Sequence, residues 1–276
     1  MSKHMSLAQL TVIGATPPEM ISIAAVTGYD GITISAGLTK IDCGGTIYSL
    51  LDEPSLRRET AKRMADTGIT IDLIEGVGVS PTLDMDRLAR VLDVMGDLGA
   101  SRLLAALFDP EPQRAADMLA AQREMAEARG ISLVLEFMGL AAHARSLGEA
   151  IKLVTDGRFK GLTILVDSLH LIRCGGSIDE LKAVDPALIG FAQLCDGPLT
   201  SPSEAAYFEE AVFERQVPGK GELPLTEFVA AIPPGVFISP EVPMRKQRQL
   251  GVSLTDLARM ALEGARRVCV QAEKGR

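Results

Sequence analysis

The chain has 276 residues, 47% of them hydrophobic and 23% charged, a composition typical of a globular protein with a sizeable core. Its formal net charge of −8, without a cluster of lysines and arginines, argues against a protein that binds nucleic acid. No apolar run approaches the roughly 20 residues that a helix needs to span a bilayer, which argues against a membrane protein.

The chain begins with MSKHMSLAQL, which lacks the apolar centre of a signal peptide, so we interpret residues 1–9 as a disordered or vector-derived segment. From residue 10 onward, short apolar runs alternate with longer helical patterns. Eight runs are predicted to be strands: LTVIGA (10–15), GITIS (31–35), ITIDLIE (69–75), SRLLAAL (101–107), SLVLEF (132–137), LTILVD (162–167), IGFAQLCD (189–196) and GVFISPE (235–241). No linker-like stretch divides residues 10–276, which are predicted to form a single domain.

The intervals between these runs carry helical periodicity, as in Leu88, Val91 and Met95. Good N-cap residues predict where helices begin: Ser55, Asp84, Ser177 and Thr255. Eight βα units within about 250 residues predict a single (β/α)8 TIM barrel with a parallel eight-stranded core. A doubly wound open sheet is the alternative, but the turn after the first run has Pro17–Pro18 in place of a glycine-rich phosphate loop.

The active site of such a barrel lies at the C-terminal ends of its strands. Polar side chains end the later predicted strands: Glu136, Asp167, Gln193 with Asp196, and Glu241. Clustered carboxylates repel one another unless a cation neutralises them, and oxygen ligands favour Mg²⁺ or Mn²⁺. Asp196 could equally be a helix cap or a surface residue, and Gln193 could satisfy backbone groups. Glu75 and Asp109 end the third and fourth strands and are weaker candidates.

Five motifs in the second half of the chain occur in a recognisable order: LVLEF with Glu136, LVDSLH with Asp167 and His170, FAQLCD with Gln193, RQVPGKGELPL at 215–225, and ISPEVP with Glu241. Together they resemble the xylose-isomerase-like TIM barrels of the sugar phosphate isomerase/epimerase family. That family includes D-tagatose 3-epimerase, inosose dehydratase, 3-dehydroshikimate dehydratase and endonuclease IV. The first four predicted strands carry no diagnostic motif.

The resemblance implies one divalent metal ion, Mg²⁺ or Mn²⁺ first and Co²⁺ next. Its implied ligands are Glu136, Asp167, Gln193 and Glu241, and the implied substrate-binding residues are His170 and Arg215. Two positions depart from the family pattern. Gln193 stands where sugar epimerases more often have histidine, as in 3-dehydroshikimate dehydratases, and an amide oxygen favours Mg²⁺ or Mn²⁺ over zinc. Lys220 replaces the acid of the usual Pro-Gly-Glu-Gly motif.

The expected activity is isomerisation or epimerisation of a keto sugar or related hydroxy-ketone. Glu136 and Glu241 are the expected catalytic pair, one removing a proton and the other returning it through an enediolate. A metal-dependent dehydratase of the 3-dehydroshikimate or keto-inositol type is the alternative, and a non-catalytic metabolite-binding barrel is a further one. A DNA-repair nuclease with three zinc ions is disfavoured, because the chain has only three histidines.

The expected partner is a small polyol or keto substrate, unphosphorylated because no glycine-rich phosphate cradle is evident. Homodimer and homotetramer both stay open. The dispersed cysteines Cys43, Cys174, Cys195 and Cys269 favour reduced thiols in a cytoplasmic protein over disulfides or a zinc site. The long segment 198–222, with a helix capped by Ser203, is expected to fold over the mouth and carry Arg215 to the substrate. A surface helix or a subunit contact is the alternative, and His143 is expected on a helix surface.

Overall fold

The structure is a computed structural model that describes residues 3–37, 48–200 and 203–275, so Cys43 lies outside the described residues. The strands are β1 (Ser6–Ala8), β2 (Gly31–Ser35), β3 (Thr70–Glu75), β4 (Gly78–Val79), β5 (Arg102–Leu107), β6 (Ser132–Glu136), β7 (Thr163–Asp167), β8 (Ile189–Leu194) and β9 (Ile238–Pro240). The helices are α1 (Pro17–Thr27), α2 (Pro54–Thr67), α3 (Met85–Asp97), α4 (Pro112–Glu127), α5 (Leu147–Val154), α6 (Ser168–Arg173), α7 (Ile178–Lys182), α8 (Glu204–Phe213), α9 (Leu225–Ala231), α10 (Arg245–Gln249) and α11 (Leu254–Lys274).

Eight parallel strands form the barrel wall in the order β1, β2, β3, β5, β6, β7, β8 and β9, and the short β4 pairs with β5. The last strand returns to the first. Met5 pairs in parallel with Ile238, and the Ile238 N–H donates to the carbonyl of His4 at 3.0 Å. The predicted (β/α)8 TIM barrel is confirmed.

Seven of the eight predicted strands match barrel strands closely, but the first is wrong. Residues Gln9–Val12 form a 3₁₀ turn, and the first barrel strand is Ser6–Ala8, which lies in the segment set aside at the N-terminus. The boundary between residues 9 and 10 is therefore wrong as well. The strand has three residues, all buried, and is too short to give an apolar run of its own.

Two of the four predicted N-caps are confirmed. Asp84 accepts from the Arg87 N–H at 2.8 Å, and Ser177 accepts from the Glu180 N–H at 3.2 Å. Ser55 is wrong because α2 begins at Pro54, a residue suited to the first helical position. Thr255 is wrong because Ser253 caps α11, accepting from the Asp256 N–H at 3.1 Å.

Aromatic and charged side chains close the N-terminal end of the barrel. The Arg102 guanidinium lies 4.5 Å above the centre of the Phe237 ring, on which His4 stacks at 3.8 Å. His4 Nε2 in turn lies 2.7 Å from Oδ2 of the buried Asp72. The opposite, C-terminal end of the barrel is left open for a ligand.

Two further features of the described residues concern their helices and their cysteines. None of their helices is both long and apolar enough to cross a bilayer. Cys174, Cys195 and Cys269 are free thiols.

Candidate active site

The C-terminal mouth of the barrel collects the polar side chains that end its strands. Glu75 ends β3, Glu136 ends β6, Gln193 lies in β8, and Glu241 directly follows β9. With His170 and Arg215 they line a cavity of about 870 Å³, and all are buried. Asp167, which ends β7, lies behind these lining residues and is completely buried. The structure thus brings together every site residue that the sequence predicts.

Arg215 joins two of the predicted metal ligands. Its Nη1 lies 2.6 Å from Asp167 Oδ2, its Nη2 lies 2.9 Å from Glu241 Oε2, and its Nε donates to the carbonyl of Ala211 at 2.8 Å. Burial alone would lower the pKa of Arg215, but the two carboxylates hold it well above the usual range. Arg215 therefore stays charged and holds both carboxylates in place.

Asp167 has two structural duties that the sequence did not reveal together. Its Oδ1 accepts from the N–H groups of Leu169 at 2.6 Å and His170 at 3.1 Å, which makes it the N-cap of α6. Its Oδ2 receives the Arg215 guanidinium. Burial would raise the pKa of Asp167, but the positive charge of Arg215 lowers it overall, so this carboxylate is ionised.

Gln193 bridges two carboxylates and keeps one atom free. Its Nε2 donates to Glu75 Oε1 and to Glu241 Oε1, both at 3.0 Å. Its Oε1 is buried and has no hydrogen-bond partner among the described residues. Such an atom is costly to bury unless something binds it.

Two of the clustered acids have pKa values raised into the neutral range. Burial and the charge of Glu241 raise the pKa of Glu75 to about 8. Burial raises the pKa of Glu241 to about 7, although Arg215 opposes the shift. Glu75 ends β3 as the sequence indicates, but its reach across the barrel to Gln193 depends on register and could not be inferred from spacing alone.

Glu136 has no strong cation partner among the described residues. Its Oε1 lies 3.7 Å from His170 Nε2, and no described arginine or lysine forms an ion pair with it. Burial, followed by the charges of Glu241 and Asp167, raises its pKa well above the usual range. A buried carboxylate with an elevated pKa beside a cavity is a suitable proton acceptor.

Helix α8 forms one wall of the cavity. Phe208, Ala211 and Val212 line the cavity, and the Tyr207 hydroxyl lies against the His170 ring. The helix is capped by Ser203, as predicted. A buried bidentate pair between Arg173 and Glu210, at 2.8 and 2.7 Å, fastens this helix to α6. Residues 201–202 of the predicted lid lie outside the described residues. The described part of the segment therefore borders the cavity through an anchored helix, and closure over the mouth stays a prediction.

The loop that carries Lys220 is organised by Asp196. The Asp196 carboxylate accepts from the N–H groups of Gly219 at 2.9 Å and Leu223 at 3.1 Å. A Cβ atom on Gly221 would lie 2.4 Å from Asp196 Oδ1, so only glycine fits there. Asp196 is thus a buried residue that organises this loop, and the helix-cap and surface roles that the sequence left open for it are both wrong.

Two weaker candidates, Asp109 and His143, do not line the cavity, whereas Glu75 does. Asp109 is paired with Arg114 at 2.5 Å and does not line the cavity. His143 lies in the loop between β6 and α5, not on a helix surface, and pairs by its backbone with Leu107. Burial raises the pKa of the Cys195 thiol to about 12, so this thiol is a poor nucleophile.

The residues at the mouth fit a hard divalent cation. Glu136, Asp167 and His170 offer ligand atoms that all lie within 4.8 Å of one another. The partnerless Gln193 Oε1 adds a buried oxygen of the type that Mg²⁺ and Mn²⁺ prefer. His170, expected to contact substrate, is thus also near enough to be a ligand. The ligand set of Glu136, Asp167, Gln193 and Glu241 stays a prediction.

The sequence places the chain in a family. A model of the xylose isomerase-like TIM barrel family matches residues 21–267. The chain belongs to the xylose isomerase-like TIM barrel family. This confirms the resemblance in the motifs that end β6 to β9. No curated protein matches the sequence.

Solved structures share the xylose isomerase-like TIM barrel. A xylose isomerase-like TIM barrel/4-hydroxyphenylpyruvate dioxygenase fusion protein has a TM-score of 0.78 and 21% identity, covering 100% of this chain and 44% of that chain. The IolI protein with a bound zinc atom has a TM-score of 0.76 and 18% identity, covering 98% and 99%. D-allulose 3-epimerase from Methylomonas sp. has a TM-score of 0.70 and 17% identity, covering 97% and 99%. At these identities the similarity establishes the fold.

Proposed function

We propose that the protein is a divalent-metal-dependent isomerase or epimerase of a keto sugar or related hydroxy-ketone. The observation that carries the proposal is Glu136, a buried carboxylate with a raised pKa at the wall of the cavity. Among the described residues, no arginine or lysine forms an ion pair with Glu136. The structurally similar epimerases, including D-allulose 3-epimerase and L-ribulose 3-epimerase, make this reaction class a natural one for the fold.

We assign the metal to Glu136, Asp167, Gln193 and Glu241, with Mg²⁺ or Mn²⁺ preferred and Co²⁺ next. The charge of three carboxylates and the unpaired Gln193 Oε1 support this assignment. When bound, such an ion polarises a substrate carbonyl as a Lewis acid.

The remaining steps belong to side chains of this chain. Glu136 takes a proton from the carbon next to the carbonyl, and His170 contacts a substrate oxygen on the same side of the cavity. Glu241 returns a proton to the substrate, and Arg215 fixes the orientation of Glu241 through its Nη2. Phe208 on α8 and Phe108 after β5 provide an apolar mouth that limits access of water.

Dehydration is a second candidate, favoured by the surroundings of Glu241. Its carboxylate receives Arg215 at 2.9 Å and Gln193 at 3.0 Å, so Glu136 is the less encumbered base. One base suffices for elimination: Glu136 takes the proton, the C–H electron pair forms the double bond, and the β-hydroxyl leaves as water with a proton returned by Glu136. Epimerisation uses both glutamates.

The proposal extends to partners and location. We propose an unphosphorylated small polyol or keto substrate, no nucleic-acid or membrane partner, a homodimer or homotetramer, and a cytoplasmic location. The net charge of −8 supports the first exclusion, and the free thiols support the location.

Proton NMR in D₂O with Mg²⁺-loaded protein tests the function on a panel of ketoses, keto-inositols and 3-dehydroshikimate. Loss of a proton signal next to the carbonyl, with all hydroxyl-bearing carbons retained, identifies an isomerase or epimerase. New alkene or aromatic signals identify a dehydratase. Glu136→Gln is expected to abolish either signal, and Glu59→Gln, on the exposed face of α2, serves as the matched control. No turnover by wild-type protein across the panel would favour a binding barrel.

A further inference from the structure

Helix α8 places a tyrosine hydroxyl against the ring of His170. The Tyr207 hydroxyl lies 2.6 Å from His170 Nδ1, and the two rings meet edge to face with centroids 5.7 Å apart. Both side chains are buried. Away from bulk water, the direction of this hydrogen bond decides which ring nitrogen of His170 carries the proton.

Two directions are chemically available. Either Tyr207 donates to Nδ1 and leaves the His170 proton on Nε2, or Nδ1 donates to Tyr207, whose hydroxyl then turns to the nearby thiol of Cys174. An imidazole nitrogen is a much stronger acceptor than sulfur, so donation from Tyr207 to Nδ1 is favoured.

The surroundings of the other ring nitrogen, Nε2, also favour the tautomer with the proton on Nε2. His170 Nε2 faces Glu136 Oε1 at 3.7 Å, and in the ionised form in which Glu136 can act as a base, its carboxylate is an acceptor only. A proton on Nε2 therefore faces an acceptor, whereas a lone pair there would face another lone pair. A ring whose Nδ1 accepts from Tyr207 carries its single proton on Nε2 and is therefore neutral.

We propose that Tyr207 is a positioning residue that fixes His170 as the neutral Nε2–H tautomer, so that His170 donates a hydrogen bond to a substrate oxygen. The part concerning substrate rests on the proposed function. There, His170 stabilises negative charge that develops on the oxygen while Glu136 takes the proton. A neutral imidazole suits this role because it donates without adding a formal charge to the site.

The tautomer can be read directly, because the chain has only three histidines: His4, His143 and His170. Long-range proton–nitrogen correlation spectra of full-length, metal-free protein with ¹⁵N-labelled histidine distinguish the two ring nitrogens, and a His170→Gln variant assigns the signals. We expect wild-type His170 to show the Nε2–H pattern with a hydrogen-bonded Nδ1. Tyr207→Phe is expected to shift the Nδ1 signal toward that of a free acceptor nitrogen and to raise the Nδ1–H fraction.

Two control variants keep the test falsifiable. Tyr29→Phe removes another buried tyrosine hydroxyl, which donates to the Ala258 carbonyl at 3.0 Å, and is expected to leave His170 unchanged. Cys174→Ala is expected to leave the tautomer unchanged as well. An Nδ1–H pattern in wild-type protein, a change of tautomer in Cys174→Ala, or an unchanged His170 in Tyr207→Phe would each overturn the proposal. Unchanged His4 and His143 signals show that a variant is folded.

Activity separates this inference from the proposed function. If turnover is found, Tyr207→Phe is expected to lower kcat about tenfold with little change in KM, the size of one lost hydrogen bond. An unchanged kcat in the presence of the tautomer shift would overturn the catalytic part. A protein with no turnover but with the expected tautomer would refute the proposed function and leave the positioning role of Tyr207 intact.

Discussion

The guanidinium of Arg215 donates to Asp167 Oδ2 at 2.6 Å, joining the segment after β8 to the end of β7. Its second amino group holds Glu241. All three residues are at least 95% buried, so each charge depends on the others. The same two carboxylates are predicted metal ligands, which links metal binding to folding at this end of the barrel.

Arg215→Met is expected to lower the free energy of unfolding of chelator-treated protein by about 3 kcal/mol or more, because two buried carboxylates lose their cation. Added Mn²⁺ is expected to restore more stability to the variant than it adds to wild type. Urea titrations with and without Mn²⁺ measure both effects. Arg114→Met is the control, since its pair with Asp109 involves a half-exposed arginine. Equal losses in the two variants would refute the expectation.

Gln193→His is expected to shift metal preference toward zinc, because an imidazole nitrogen replaces the partnerless amide oxygen. The ratio of Zn²⁺ to Mg²⁺ affinity, measured by calorimetric titration, is expected to rise roughly tenfold or more. Gln122→His serves as the control, because Gln122 is a buried amide without a described partner on α4, outside the cavity. A ratio that changes equally in both variants would argue against Gln193 as a ligand.

His4 is expected to give a pH-dependent contribution to stability. Burial opposes its protonation, but the hydrogen bond and charge of Asp72 raise its pKa overall. The folded pKa exceeds the unfolded value of about 6.5, so the stabilisation is complete below that pH and is lost as pH rises through the folded pKa. His4→Gln should therefore destabilise the protein more at about pH 5.5 than at about pH 9, by up to about 1 kcal/mol. Urea unfolding at both values measures this difference, and equal destabilisation would contradict it.

Glu210→Gln is expected to loosen α8, because it weakens the buried bidentate pair with Arg173. Limited proteolysis should then cut within residues 203–214 several times faster than in wild type. The neighbouring Glu209→Gln is the control, since its pair with Arg245 is solvent-exposed and contributes little. Equal cleavage of the two variants would show that the pair with Arg173 does not hold the helix.

The sequence predicts most of the scaffold because buried parallel strands appear as continuous apolar runs, as in residues 162–167. It also locates the site, since a charged residue such as Glu136 directly after such a run is placed at the mouth by the barrel geometry. The first strand could not be predicted in this way because Ser6–Ala8 has too few residues to form a recognisable apolar run.

Pairings across the barrel could not be predicted, because they depend on strand register and on the path of long connections. Glu75 and Gln193 are 118 residues apart in sequence and 3.0 Å apart in space. The sequence predicts the helix capped by Ser203, but the contact between its Tyr207 and His170 depends on how α8 packs against α6. Asp167 shows a third limit: one carboxylate serves as a helix cap and an ion-pair partner at once.

The barrel closes where residues 4–8 pair with β9, so its closure depends on this N-terminal segment. His4 supplies the carbonyl for Ile238, and the carbonyl of Ser6 accepts from the Ser239 hydroxyl at 3.0 Å. A shortened protein that began at Leu10 would leave β2 and β9 as two unprotected sheet edges. Exposed edges of this kind recruit strands from other molecules. Trimming this segment as an apparent leftover would therefore turn a closed barrel into an aggregation-prone open sheet.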